Sequence, residues 1–239
     1  MPLRPLLLAA TLLTGWVPGA AAVPVEGLIL PIRQSEVCAP VASRILELKV
    51  GEGEVVKAGQ TLALLDGKLE ELEMRRAKVL LERREFEARS TQRLFDSKII
   101  PEAKALESRI ELELARLQYE TASQQVRLRT IVAPLDGVVV AHTREVGESV
   151  SVAQPLFRIL DLSRVVIQCA VAPAALGALQ PGQKLRVHLL PLAPDGEFEG
   201  EVALVADCAD GEGKVQVRVT VANPAHRFRP GLRARVELP

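Results

Sequence analysis

The chain has 239 residues, enough for one or two ordinary domains, and its 48% apolar and 25% charged residues are the balance of a globular protein rather than a disordered one. Its 30 basic and 30 acidic side chains cancel, and no basic run is interleaved with aromatics, so nucleic acid is not indicated as a partner. Three cysteines, Cys38, Cys169 and Cys208, lack the C-x-x-C spacing of a redox motif or zinc knuckle. A Cys169–Cys208 pair is conceivable, and three isolated buried cysteines is the favoured reading.

Residues 1–22 carry one positive charge at Arg4, an apolar core from Leu6 to Val17, and small residues at Ala20 and Ala22. These are the marks of an export signal cleaved after Ala22. An uncleaved anchor is the alternative, although the apolar run is about 12 residues and a spanning helix needs about 20. No later segment is long and apolar enough to cross a membrane. Val23 to Val37 then reads as a short, proline-punctuated lead-in strand at a sheet edge.

Next comes a stretch that occurs twice. Residues 39–65, APVASRILELKVGEGEVVKAGQTLALL, align without a gap on residues 133–159, APLDGVVVAHTREVGESVSVAQPLFRI, at an offset of 94. Ala39, Pro40, Gly53, Glu54, Val56, Gln60 and Leu62 fall on Ala133, Pro134, Gly147, Glu148, Val150, Gln154 and Leu156. Two copies are too few for a solenoid, so they are expected to be two halves of one domain. In the first copy Leu46, Leu48 and Val50 are expected on one face of a strand, followed by a turn at Gly51–Glu54, Val55–Val56, a turn at Ala58–Gly59 and a closing strand from Thr61 to Leu65. The second copy repeats that order, with Ala153 where the first has Gly59. That turn is either of another type or slightly strained.

Between the copies the composition turns helical. Lys68 to Phe95 is dense in Glu, Arg, Leu and Ala, a break follows at Asp96–Pro101, and helix-forming sequence resumes to about Arg127. In the second arm Ala103, Leu106, Ile110, Leu114 (or Glu113), Leu117 and Thr121 keep the three-and-four spacing of a coiled-coil seam. The first arm is looser, with Leu72, Val79, Phe86 and Leu94 interrupted by Arg76 and Arg83. Two antiparallel helices joined by a short turn are expected, a rod on the order of 40 Å at about 1.5 Å per residue. Its far end gathers Leu94, Phe95, Ile99, Ile100 and Pro101. This is an apolar load beyond what a turn needs, read as a docking tip, with internal capping of the coil as the alternative.

After Asp161 apolar residues alternate at Val165, Ile167, Cys169 and Val171, at Leu185, Val187 and Leu189, and at Val215, Val217, Val219 and Val221. A helical turn is expected at Ala174–Leu179, and the whole as an antiparallel barrel of about six strands. No nucleophile elbow, H-E-x-x-H or phosphate-cradling loop occurs, so neither catalysis nor a cofactor or metal site is expected. His142, His188 and His226 lie far apart and read as surface or strand residues.

The pattern A-P-x-x-G/S followed by V-x-x-G-E-x-V-x-x-G-Q-x-L resembles the two half-motifs of the biotinyl/lipoyl-like fold. Its splitting by a helical insertion resembles the periplasmic adaptor proteins, or membrane fusion proteins, of HlyD-like secretion and RND-type efflux systems. Gly182–Gln183, Gly200–Glu201–Val202, Asn223–Pro224 and Arg229–Leu232 look like turn landmarks of the adaptor barrel. A carrier domain would offer one lysine between flanking Asp and Ala, or between two Met, and Lys68 has neither setting. In drug-efflux adaptors the tip carries an Arg, a Leu four residues later and a Ser seven after that. Leu94 matches the Leu, while Ser90 stands at the Arg position, with Arg89 one residue early, and Pro101 stands at the Ser position.

The resemblance implies a fold that is mainly β with an inserted α-helical hairpin: a split lipoyl-like β-sandwich, an antiparallel coiled-coil hairpin and a C-terminal β-barrel. The organisation it implies is a signal peptide over 1–22, the first lipoyl-like half with its lead-in strand over 23–67, the hairpin over 68–127 with its tip at 94–101, the second half over 128–161, and the barrel over 162–239. RND adaptors often add a membrane-proximal domain after the barrel, and none is expected in the residues up to Pro239. The implied function is a periplasmic adaptor in a tripartite efflux or secretion system. It would form a ring of identical copies, resting on an inner-membrane transporter of RND or ABC type and reaching towards an outer-membrane channel. An exported lipoyl-like carrier or binding module without a pump is the alternative, and an adduct on Lys68 would mark it.

Overall fold

A computed structural model describes residues 23–177, 179–190, 197–224 and 226–239. The signal peptide expected at 1–22 lies outside the described residues. The chain forms two compact units, one of residues 31–165 with 222–227, the other of 166–221 and 228–239 with residues 23–30.

The first unit contains the doubled stretch. β1 (Val23–Cys38) enters it, and β2 (Ser43–Leu48), β3 (Val55–Val56) and β4 (Thr61–Leu65) form the first copy. α1 (Lys68–Asp96) and α2 (Glu102–Arg127) follow, and then β5 (Thr130–Val132), β6 (Gly137–His142), β7 (Ser149–Val150) and the start of β8 (Pro155–Val171) form the second. One sheet runs β5-β4-β2-β7, and β8-β6-β3 lie in the other. Each sheet therefore takes edge strands from the opposite copy: β7 pairs with β2 and β5 with β4 in the one, and β3 with β6 in the other.

The backbone bonds joining the copies come in pairs related by the 94-residue offset. Ala39 N–H donates to Gln154 O and Ala133 N–H to Gln60 O, both at 2.9 Å, and Gly59 N–H donates to Ala133 O and Ala153 N–H to Ala39 O, both at 2.8 Å. Ile45 N–H to Glu148 O (2.9 Å) has its image in Val139 N–H to Glu54 O (3.0 Å), and Gly53 N–H to Val139 O (2.7 Å) in Gly147 N–H to Ile45 O (2.8 Å). Either copy alone would leave these groups without partners, at a cost for each one buried. Their apolar faces meet in one core that includes Ile45, Val56, Leu62 and Leu65 from the first copy and Val139, Val150, Leu156 and Ile159 from the second.

The strand register corrects one expectation. Leu46 does not share the core face with Leu48 and Val50: Ile45 is buried and Leu46 is 49% exposed. The ladder slips by one residue between Ile45 and Glu47, and again at the equivalent Val139/Ala141. An extra residue in a strand reverses the side-chain alternation past it, which period-two counting does not foresee.

In the second unit the first part of β1 joins the end of β8, β9 (Lys184–Leu190), β10 (Glu197–Ala209), β11 (Val215–Ala222) and β12 (Arg233–Leu238), with α3 (Pro173–Leu176) between β8 and β9. The strand order β1-β12-β9-β10-β11-β8 closes through a β1–β8 pairing, so the six strands make a barrel. Residues 23–30 are thus no edge strand. Val23–Leu28 pair with Arg233–Leu238 at the other end of the chain. The alternating residues from Val165 to Val171, Leu185 to Leu189 and Val215 to Val221 all point into the interior.

The cysteines also depart from expectation. All three are free, but only Cys169 is buried; Cys38 is half-buried and Cys208 exposed. Cys208 lies in the last part of β10, past Glu201, where the pairing with β9 ends. Burial pushes the Cys169 thiol up to about 11, which keeps it protonated and inert at neutral pH.

Candidate docking surface

The hairpin packs along a seam other than the one its largest apolar residues mark. Among the positions turned from solvent, those that run in register along the seam are Met74, Ala77, Leu81, Arg84, Ala88, Thr91 and Phe95 on α1 and Ala105, Ser108, Leu112, Ala115, Tyr119, Ala122 and Val126 on α2, with Leu80, Glu87, Glu111 and others half-buried beside them. Both sets keep strict three-and-four spacing. Ala88, Ala105, Ala115 and Ala122 are the fully buried ones, and small side chains there let the helices approach closely. Arg84 sits in the seam because its Nη1 donates to Glu111 Oε2 across the hairpin and to Glu87 Oε2 along α1, each at 2.7 Å.

The residues expected in the seam are therefore outside it. Leu72, Val79 and Phe86 on α1 are 49%, 66% and 64% exposed, and Leu106, Ile110, Leu114 and Leu117 on α2 are about half exposed. On α2 Leu106, Ile110 and Leu117 stand two residues before the seam positions Ser108, Leu112 and Tyr119, about 200° round the helix. Leu114 adjoins Ala115 and, with Leu117, lines a groove shared with Ala77 and Leu80 of α1. Each helix thus carries a second apolar stripe outside the buried seam.

At the tip, Ile99 N–H donates to Leu94 O (2.9 Å) and Lys98 N–H to Phe95 O (2.8 Å), with Lys98 at φ 59°. This is a Schellman closure with Lys98 in the left-handed position, and Leu94 and Ile99 occupy the two places that such a closure pairs hydrophobically. Part of the tip's apolar content therefore serves the turn. Leu94 and Ile99 remain 43% and 68% exposed, and Pro101, at the N-cap of α2, is exposed as well. Phe95 continues the seam and, like Ile100, is half-buried.

Lys68 is the first residue of α1, with its N–H 3.4 Å from Asp66 Oδ1, rather than on a turn joining two strands. His142 lies between Glu52 (3.7 Å) and Glu145 (3.3 Å), and His188 lies 3.3 Å from Glu237. Among the described residues no group of three or more His, Cys, Asp or Glu side chains is placed to hold a metal ion. No helix among them is long and apolar enough to cross a membrane.

Residues 33–162 match the family described as RND MFP, barrel-sandwich hybrid domain, and residues 164–239 match the CusB-like β-barrel domain. The chain belongs to the RND membrane fusion protein family. Among relatives of this family, the nodulation protein NolF of Rhizobium meliloti (strain 1021) is 26% identical over 87% of this chain and 60% of its own length. The nickel and cobalt resistance protein CnrB of Cupriavidus metallidurans is 25% identical over 87% of this chain and 55% of its own. The chain thus spans a little over half the length of these relatives. Two solved structures share the fold. A MacA–MexA chimera containing the Pseudomonas aeruginosa MexA α-hairpin domain covers 91% of this chain and 80% of its own, with a TM-score of 0.81 and 20% identity. ZneB of Cupriavidus metallidurans covers 91% and 98%, with a TM-score of 0.57 and 22% identity. The fold expected from sequence, a split sandwich with an inserted hairpin and a barrel, is the one observed.

Proposed function

We propose that this chain is the periplasmic adaptor of a tripartite efflux system, bridging an inner-membrane transporter and an outer-membrane channel as a ring of identical copies. The observation that carries the reading is the second apolar stripe. Leu72, Val79 and Phe86 on α1, and Leu106, Ile110, Leu114 and Leu117 on α2, remain about half or more exposed outside the hairpin seam. Exposed apolar surface of that extent marks an interaction site. Two different stripes meeting copy to copy give a heterologous contact, the kind that closes a ring. Leu94, Ile99 and Pro101 at the tip are the residues we assign to the channel, with Phe95 and Ile100 behind them. Membership of the RND membrane fusion protein family supports an RND transporter, rather than an ABC one, as the inner-membrane partner. Export to the periplasm by the signal at 1–22 supplies the location, and the mature chain would begin at Val23.

The test is native mass spectrometry on the exported protein, alone and with its transporter, together with a photo-crosslinker at Ile99 in cells that carry the channel. Relatives named for nickel, cobalt, zinc and cadmium resistance make those ions the first challenge for a survival assay. Rings in the mass spectrum and a channel adduct at Ile99 are expected. A monomer under both conditions, with no adduct, would sink the reading.

A further inference from the structure

We propose that the direction of the helical hairpin is set at its root by a polar clasp centred on Arg129, and that this single guanidinium holds the tip on course. The hairpin leaves the sandwich by two chain crossings, Leu65–Lys68 and Arg127–Thr130. The first is bolted down by Asp66, whose N–H donates to Arg44 O (2.8 Å) and whose carbonyl accepts Ser43 Oγ (2.9 Å). The second is held by Arg129. Its carbonyl accepts Leu65 N–H (2.8 Å), its Nη1 donates to Ala42 O (3.3 Å), and its Nη2 pairs with Glu70 in the first turn of α1. The side chain therefore joins the segment before β2 to the start of α1, while the carbonyl of the same residue holds the end of β4.

The clasp is sheltered. The Arg129 and Glu70 side chains are 19% and 20% exposed, and Arg129 Nε is buried with no hydrogen-bond partner among the described residues. Gly67 leaves room for it: a Cβ there would lie 2.8 Å from Arg129 Cγ. Apolar packing does not take over the same task. Leu69, next to Glu70, is 73% exposed, and Leu65 and Ile131 face the sandwich core instead. A sheltered ion pair is a poor source of net stability but a directional one, because breaking it strands a charge. A 29-residue helix is a lever of about 43 Å, so a swing of about 10° at the root displaces the tip by about 7 Å.

The inference rests on the root geometry and holds whether or not the tip docks on a channel. The experiment measures spin-label distances from Ser97 at the tip to Val152 in the sandwich, in full-length protein with its three cysteines replaced. Arg129→Met and Glu70→Gln should each broaden the distribution about twofold or shift its mean by several Å, as the lever arm dictates. Arg129→Lys, which keeps the charge, should restore part of the width, and Arg109→Met on the exposed face of α2 should leave it unchanged. Melting curves run alongside separate a swinging hairpin from an unfolded one. If Arg129→Met does not fold, Glu70→Gln decides. Wild-type width in a folded Glu70→Gln protein, or equal broadening by Arg109→Met, overturns the proposal.

Discussion

Ala153 carries the cost of an imperfect repeat. Its equivalent, Gly59, sits at φ 81°, and Ala153 is held at φ 62° in the same turn. Gln60 and Gln154 accept from Lys57 N–H (3.0 Å) and Ser151 N–H (2.9 Å) through their side-chain oxygens, and Gln183 repeats the arrangement towards Gln180 N–H (3.3 Å) around Gly182, at φ 88°. Of the two alternatives the sequence left for Ala153, the structure shows the strained one. A residue with a Cβ in the left-handed region costs about 1–2 kcal/mol, partly offset by the freedom glycine adds to the unfolded chain. Ala153→Gly should therefore stabilise the protein by up to about 1 kcal/mol, raising the melting temperature by about 2–4 °C, and Gly59→Ala should lower it by a similar amount. No Cβ contact within 4 Å opposes the change at Gly59, so backbone strain alone is on trial, and calorimetry showing no opposite signs for the two variants would refute it.

The hairpin shows why an element can be legible while its packing is not. Helix-forming composition and the break at Asp96–Pro101 were plain in the sequence, and α1 and α2 lie there. Each helix, however, carries two heptad stripes, and hydrophobicity singles out the wrong one. Ala105, Ala115 and Ala122 line the seam because closeness, rather than apolar bulk, is what the two-helix contact needs. The larger stripe is left over for something outside the hairpin. Ala115→Leu should overpack the seam and cost about 1–3 kcal/mol, whereas Leu114→Ala, one residue away and 55% exposed, should change monomer stability by less than about 0.5 kcal/mol and weaken self-association. Thermal melts with sedimentation of both variants check the pair. Loss of monomer stability in Leu114→Ala with none in Ala115→Leu would restore the seam expected from sequence.

Over the whole molecule, what the sequence concealed is what joins distant segments. The repeat, the hairpin and the strand rhythm are local or self-referential patterns, but the pairing of Val23 with Leu238, which sets the first strand of the barrel beside the last, has no local signature. The same is true of Asp161, which sequence reading passed over as the end of a half-motif. It is buried, with Oδ1 accepting Ser163 N–H (3.1 Å) and Oγ (2.6 Å), and Oδ2 accepting Arg33 Nε (3.1 Å) and Nη2 (2.8 Å). Asn223 reaches the same place, donating to Leu162 O (3.1 Å), so three segments remote in sequence meet there within one unit. Burial alone would push the Asp161 carboxyl up, but the bonds from Ser163 and Arg33 outweigh it and hold the carboxyl below the usual range. A carboxyl depressed in the folded state contributes stability that is fully present above its unfolded pKa of about 3.9 and is lost as pH falls through the lower folded value. Asp161→Asn should cost about 1–2 kcal/mol at pH 7, discounted for the exposure of Arg33. The gap between wild type and variant should stay constant down to about pH 4 and close below it. Melting both proteins from pH 7 to pH 2.5 measures that gap, and a gap that persists unchanged at the acid end would show that the Asp161 charge is not what holds the three segments together.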